Sequence, residues 1–383
     1  MRILIVHNDY GARSGEEVVV DRQIVMLKSL DMEVVDFRRS SQGQRNSLWG
    51  QLKAFLSGFY AYTAISALKK LIKDNPPDLA IVHNLYPFIS PAALKVIKKA
   101  NIPIIMTIHN YRLICPTGLF MRDAKVCELC LNASEWNCIK HNCENSVPKS
   151  FAYASRNWYA RKTKAYINNI DAFACITNFQ AVKLVQAGFD KSKMEVIPNS
   201  MDQIPPYKYQ KGGYVGISGR ISKEKGIELL LKLAHATPHI QYVFAGAQRK
   251  SDKWDTSIPA NCSFLGYLNE KDLDNFYKNA QFILIASLWY EGFPMVILDA
   301  SARGKACIGP AHAGFIEIID KDITGLHFKV GDLNSLQDKV LRLWGNENIC
   351  KQMGENAYNK LKKQYSSQVV KKAWKKLIEK YTC

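Results

Sequence analysis

The stretch Tyr214-Val215-Gly216-Ile217-Ser218-Gly219-Arg220-Ile221-Ser222-Lys223-Glu224-Lys225-Gly226 passes from an apolar, β-branched segment through glycines and cations into the apolar-periodic segment Gly226–Ala236. It reads as strand, loop and helix. Glycines at such a turn let backbone approach a ligand closely, and the start of the following helix favours an anion. Arg220 and Lys225 add two cationic donors to the same loop. A diphosphate fits that chemistry; the competing reading is a solvated basic turn.

A second loop has the same build. Glu291-Gly292-Phe293-Pro294-Met295-Val296-Ile297-Leu298-Asp299 follows an apolar strand that ends at Ser287. Gly292 permits a tight turn, and Pro294 suits the entry to a helix. Backbone amides from Phe293 to Val296 then face an incoming anion. Glu291 and Asp299 can accept hydrogen bonds from sugar hydroxyls, as an acidic side chain does for ribose in dinucleotide folds.

Working outward, short β-branched runs alternate with helical patterns along the rest of the chain. Ile3–His7, Val34–Phe37, Asp78–His83, Ile102–His109, Ala172–Thr177 and Met194–Pro198 read as strands in the first half. Tyr214–Gly219, Tyr242–Gly246, Cys262–Leu265, Phe282–Ser287 and Ala306–Gly309 read as strands in the second. Helices between them imply parallel sheets with right-handed crossovers, an α/β fold. Pro198–Lys211 holds Pro198, Pro205 and Pro206 without a core period and reads as a linker. With 383 residues, two domains are expected.

Ser47–Lys73 stands apart. Leu48, Trp49, Leu52, Phe55, Leu56, Phe59, Tyr60 and Tyr62 fall at near-helical spacing, with lysines at 69, 70 and 73. Such a segment either covers the first sheet or lies on a membrane as an amphipathic helix.

Lys and Arg number 52 against 34 Asp and Glu, a net charge of +18. That excess suits phosphorylated substrates, an anionic membrane leaflet or nucleic acid, or serves solubility alone. The apolar run at Ile3–Val6 stops at His7, too short for a signal-peptide core, and no stretch reaches the roughly 18 apolar residues of a membrane span. A cytoplasmic protein with reduced cysteines is the expectation. Among the ten cysteines, Cys127, Cys130, Cys138 and Cys143 lie close together, a candidate tetrahedral zinc site of structural kind, with Cys115 and His141 as alternative ligands.

A Gly-Arg-x-x-x-x-Lys-Gly loop followed by Glu-Gly-Phe and a later acid resembles the retaining glycosyltransferases of family 4, which have the GT-B fold. The resemblance runs along nearly the whole chain: Ser14-Gly15-Glu16, His83-Asn84-Leu85, Ser90-Pro91, Thr107 to Pro116, Ile197 to Asp202, Gly314 to Glu317 and Thr324-Gly325-Leu326 resemble further landmarks in the same order. The stretch from Thr107 to Pro116 is similar to polysaccharide- and lipopolysaccharide-building members. Two departures stand out: Asp299 replaces the usual Glu, and Ser14 stands where many members have glycine.

The resemblance implies two Rossmann-like domains facing across a cleft: an acceptor-side domain over 1–200 with a Cys-rich insertion at 115–145, a donor-nucleotide domain over 201–365, and a helix over 366–383 that crosses back. It implies a hexose-type sugar carried by a uridine or guanosine diphosphate, and a saccharide or lipid-linked acceptor at the inner face of the cytoplasmic membrane. By position, Arg220 and Lys225 neutralise the donor diphosphate, Glu291 holds donor-sugar hydroxyls, and Asp299 holds the ribose. Gly15 lets the N-terminal loop close, His109 orients the reacting hydroxyl, and Gly266-Tyr267-Leu268 meets the base. Gly219, Gly292, Phe293, Met295 and Val296 complete the donor contacts. No catalytic cofactor or metal is implied. A nucleotide-sugar epimerase on the same fold would turn over donor without an acceptor. A nucleic-acid binder would lack a reason for the two donor loops.

Overall fold

The computed structural model describes residues 1–10, 15–43, 47–132, 134–248, 254 and 256–382. Two compact units emerge: Met1–Leu119, Glu128–Ile197 and Lys371–Cys383 form the first, and Phe120–Cys127 with Pro198–Val370 form the second. The division falls at Pro198, the first proline of the expected linker. The expected insertion at 115–145 divides between the units, because residues 120–127 group with the second.

In the first unit, β1 (Arg2–Asp9), β2 (Glu33–Ser40), β3 (Leu79–Val82) and β4 (Ile104–Ile108) precede a short antiparallel hairpin, β5 (Met121–Arg122) and β6 (Lys125–Val126), that belongs to the second unit. β7 (Ala172–Cys175) and β8 (Met194–Val196) complete the sheet, ordered β2-β1-β3-β4-β7-β8 and parallel throughout. Ile3, Leu4, Ile5 and Val6 are fully buried. A parallel sheet covered on both faces buries every side chain of a central strand, so the run is continuously apolar rather than alternating. Each such side chain contributes about 1.5–3 kcal/mol, which is why Ile3–Val6 is core.

The helices of this unit are α1 (Gly15–Lys28), α2 (Leu48–Phe59), α3 (Tyr62–Asp74), α4 (Ala92–Lys99), α5 (Asn137–Lys140), α6 (Val147–Lys162) and α7 (Asn178–Gln186). The Ser47–Lys73 segment thus forms two helices. Ser47 caps the first by accepting from the Gly50 amide, and the chain turns extended at Tyr60.

The second unit has α8 (Ile227–Ala236), α9 (Glu270–Asn279), α10 (Met295–Ala302), α11 (Phe315–Ile318), α12 (Leu333–Trp344) and α13 (Glu347–Lys360). Its strands are β9 (Tyr214–Ser218), β10 (Tyr242–Ala245), β11 (Cys262–Gly266), β12 (Ala280–Leu284), β13 (Cys307–Pro310) and β14 (Gly325–Phe328). They pair in parallel in the order β11-β10-β9-β12-β13-β14. The last helix, α14 (Ser367–Thr382), returns to the first unit, where Lys371 Nζ donates to Ser29 O at 2.7 Å and Lys380 Nζ meets Glu195 Oε1 at 2.6 Å.

Candidate active site

Strand order reverses between β9 and β12: from β9 the chain moves outward to β10 and β11, then back across to β12. Ligands of open α/β sheets bind outside the carboxyl ends of the strands at that reversal. The loop after β9 carries Gly219, Arg220 and Lys225; the loop after β12 carries Glu291 and Gly292. Topology therefore makes neighbours of two loops some 65 positions apart. Leu288 N donates to Glu224 O at 3.0 Å and ties them together. Gly226 stands at the crossing: its φ is +79°, and an added Cβ would lie 2.1 Å from Ala286 O.

One cavity, open to solvent, is lined by Gly219, Arg220, Lys225, Glu291 and Val296. Lys225 Nζ lies 2.7 Å from Glu291 Oε1, which also accepts from Ser287 Oγ. Glu291 is only 6% exposed, so its charge needs those partners. The Arg220 guanidinium is exposed and held by one long ion pair, Nη1 to Glu224 Oε1 at 3.4 Å. An exposed fork of donors beside a buried, neutralised carboxylate can take an anion and a hydroxyl-bearing group together. Pro294 precedes α10 with no side-chain cap on the helix start.

Asp299 lies one turn into α10 and does not line this cavity. Arg303 holds it, Nη1 to Oδ1 at 3.8 Å; burial first, and the Asp299 charge after it, raise the Tyr277 hydroxyl, which hydrogen-bonds Ser218. Gly266 O accepts from Gly246 N at 2.8 Å and so stands near Gly219, whose N–H bonds Ala245 O. Leu268, Phe293, Met295 and Val296 are partly buried against one apolar cluster.

In the first unit, His109 follows β4. Its Nε2 lies 2.8 Å from His83 Nδ1, the rings stacked 5.1 Å apart, and His7 meets His83 edge-on. Burial pushes His7 and His109 down to about 4 and His83 well below its ordinary value, so all three are neutral at pH 7. Glu16 lines the same hollow as His109 and accepts from Tyr10 OH at 3.1 Å. At Gly15, which opens α1, an added Cβ meets nothing within 4 Å, so packing there does not demand glycine. Ser14 lies outside the described residues.

Residues 15–203 match the family described as Glycosyltransferase Family 4, and residues 201–360 match Glycosyl transferases group 1. The chain belongs to these glycosyltransferases. The glycosyltransferase is 22% identical over 240 residues to the alpha-galactosylglucosyldiacylglycerol synthase of Streptococcus pneumoniae, covering 56% of this chain and 63% of that one. It is 32% identical over 126 residues to the lipopolysaccharide 1,2-N-acetylglucosaminetransferase of Salmonella typhimurium, 29% of this chain and 33% of that one. These matches span less than two thirds of either relative. The crystal structure of Anabaena HepE with UDP and glucose superposes with a TM-score of 0.67 at 15% identity, over 99% of this chain and 100% of that one. The α/β, GT-B-type fold is thereby shown.

The cysteines of the glycosyltransferase pair differently from the expected set. Cys130 hydrogen-bonds Cys115, and Cys138 hydrogen-bonds Cys143; these contacts, and burial after them, raise the Cys130 and Cys138 thiols. Cys127 instead closes the β5–β6 hairpin, its N–H donating to Phe120 O at 2.8 Å. Spacing favours Cys127 through its CxxC with Cys130, whereas the hydrogen bond of Cys130 is to Cys115, which the sequence offered as an alternative ligand. Among the described residues, His7, Asp9 and Glu17 form a trio with ligand atoms all within 4.8 Å; the thiols form no such trio.

Sequence reasoning missed His312. Its ring bonds the Ser287 backbone, faces Glu291 and is lowered to about 4 by burial. It stacks on Phe315 and meets Tyr290 edge-on. The only signal was its place just before Gly314-Phe315-Ile316-Glu317.

Proposed function

We propose that this glycosyltransferase moves a hexose-type sugar from a nucleoside diphosphate sugar to a saccharide or lipid-linked acceptor in cell-surface polysaccharide or glycolipid synthesis, with retention of anomeric configuration. The observation that carries the reading is the convergence of Arg220, Lys225 and Glu291 on one cavity at the strand-order reversal. The UDP in the HepE structure and the glycosylated diacylglycerol and lipopolysaccharide in the relatives' names support it.

Arg220 and Lys225 hold the diphosphate and stabilise the charge that grows on it as the glycosidic bond breaks. An ammonium has three donors, so Lys225 serves the diphosphate without releasing Glu291. Glu291 Oε1 is committed to Lys225 and Ser287, and Oε2 is offered to donor-sugar hydroxyls. Asp299, nearer Tyr277 and Arg303, takes the ribose. The acceptor hydroxyl attacks on the face from which the diphosphate leaves, and its proton passes to the leaving phosphate oxygen. A histidine lowered to about 4 is too weak a base to hold that proton at neutral pH, so His109 orients the hydroxyl. The net charge of +18 suits an acceptor carried at an anionic membrane surface.

The test is a panel of uridine and guanosine diphosphate sugars screened by thermal shift, followed by transfer assays and NMR of the product's anomeric configuration. Arg220→Ala, at an exposed side chain, keeps the melting temperature and lowers kcat/KM by about 10²–10³. Full turnover in that variant rejects the site assignment, and an inverted product rejects retention.

A further inference from the structure

Helix α2 is built inside out. The residues it buries are Gly50 and Gly58, whereas Leu48 is 83% exposed, Trp49 80%, Leu52 46% and Leu56 57%. At 100° per residue, Trp49, Leu52 and Leu56 form one stripe. Phe55 and Phe59, at the edge of that stripe, pack on α6 through Phe151 and Tyr159, with ring centroids 6.3 and 5.4 Å apart. That packing anchors the helix and leaves the leucine and tryptophan face to solvent. Phe151 and Val147 of α6 are themselves exposed and extend the apolar surface. Single exposed apolar residues need no explanation, but a contiguous set marks an interaction surface.

Charge indicates what covers it. Of the 383 residues, 34 are Asp or Glu, yet none falls between Phe37 and Lys73 or between Asn145 and Ile170, the two stretches that carry this surface. Lys53 lies on α2 itself, Lys149 between the exposed Val147 and Phe151, and Lys69, Lys70 and Lys73 on α3; all five are exposed. Trp49 is accompanied by the exposed Tyr60 and Tyr62, side chains with an apolar body and a polar tip. A second copy of the chain, docked face to face, would set one acid-free surface against another.

We propose that the face formed by Trp49, Leu52 and Leu56 of α2, continued by Phe151 of α6 and rimmed by Lys53 and Lys149, inserts into the headgroup layer of an anionic lipid bilayer. Trp and Tyr settle at the boundary between water and hydrocarbon, and lysines beside them pair with anionic headgroups. The surface belongs to the first unit and the donor loops to the second, and its occupancy is read without donor, acceptor or turnover.

The experiment is co-sedimentation of the full chain with vesicles of phosphatidylcholine alone or mixed in equal parts with phosphatidylglycerol. Binding to the mixed vesicles is expected to weaken with salt, with little binding to phosphatidylcholine. W49S/L52S/L56S changes exposed positions, so the melting temperature holds while the vesicle partition coefficient falls by at least about tenfold. Lys53→Glu with Lys149→Glu lowers it by at least about tenfold on mixed vesicles. Unchanged partition in W49S/L52S/L56S overturns the proposal, as does equal binding to both vesicle types. A lipid-free dimer that W49S/L52S/L56S turns into monomer, in a protein that ignores vesicles, assigns the face to a second copy and also overturns it.

Discussion

Lys225→Met removes the ammonium 2.7 Å from Glu291 Oε1 and leaves a carboxylate that is 6% exposed with Ser287 as its remaining hydrogen-bond partner. Breaking a buried ion pair on one side costs about 3–5 kcal/mol. The Lys225 side chain is 24% exposed, so solvent screens part of the pair and about 2–3 kcal/mol is the working figure. In a unit of this size, each kcal/mol lowers the melting temperature by about 2–4 °C, which gives a drop of about 4–12 °C. Glu291→Gln keeps an acceptor for Ser287 and removes the buried charge, at a cost of about 1–2 kcal/mol. With both changes neither charge is stranded, and the double variant should recover about 2 kcal/mol relative to the sum of the singles. Calorimetric melts of the four proteins measure that coupling. A coupling below about 0.5 kcal/mol, the scatter expected of independent sites, would refute the view that these two loops are held by one charge pair.

Acid should unfold the protein early. His7, His109 and His312 are lowered from 6.5 to about 4 and His83 well below its ordinary value, so the folded chain binds fewer protons than the unfolded one in that window; their stabilising contribution is complete above pH 6.5 and is lost as pH falls toward 4. His7 alone, fully buried, accounts for about 2 kcal/mol of that loss at pH 5. Urea midpoints from pH 8 to 4.5 measure it, and a flat profile contradicts neutral buried histidines. Gly226→Ala forces a left-handed alanine against Ala286 O and should cost about 2–4 kcal/mol, visible as a lower melting temperature and weaker nucleotide binding. Cys115→Ser should lower the melting temperature more than Cys127→Ser, because Cys115 is buried beside Cys130; equal effects would count against that pairing.

Much of this protein was legible before any coordinates. The strands were found because a parallel strand covered on both faces is a continuous apolar run, as at Ile3–Val6 and Ile104–Met106. The two loops were found because glycine, cations and a helix start are a local signal. β14 was missed because Gly325–Phe328 is four residues long and carries His327. The β5–β6 hairpin was missed because two-residue strands have no period to detect. Sequence spacing and the family resemblance pair Asp299 with Glu291, whereas Asp299 lies one turn into α10, outside the cavity that Glu291 lines, with Arg303 Nη1 3.8 Å from its Oδ1.

Strand, helix and turn types follow from residues within one or two turns of each other, so the chain's own pattern determined the alternation of strands and helices and the chemistry of each loop. Which loops meet depends on strand order, and Cys130 finds Cys115, fifteen positions away, through the folding of the first unit. Which side of α2 faces water was likewise decided only by packing: periodicity defines a leucine and tryptophan stripe, but the contacts of Gly50, Gly58, Phe55 and Phe59 turn that stripe outward. Those contacts join residues far apart in the chain, and a free energy summed over distant partners cannot be read from local spacing.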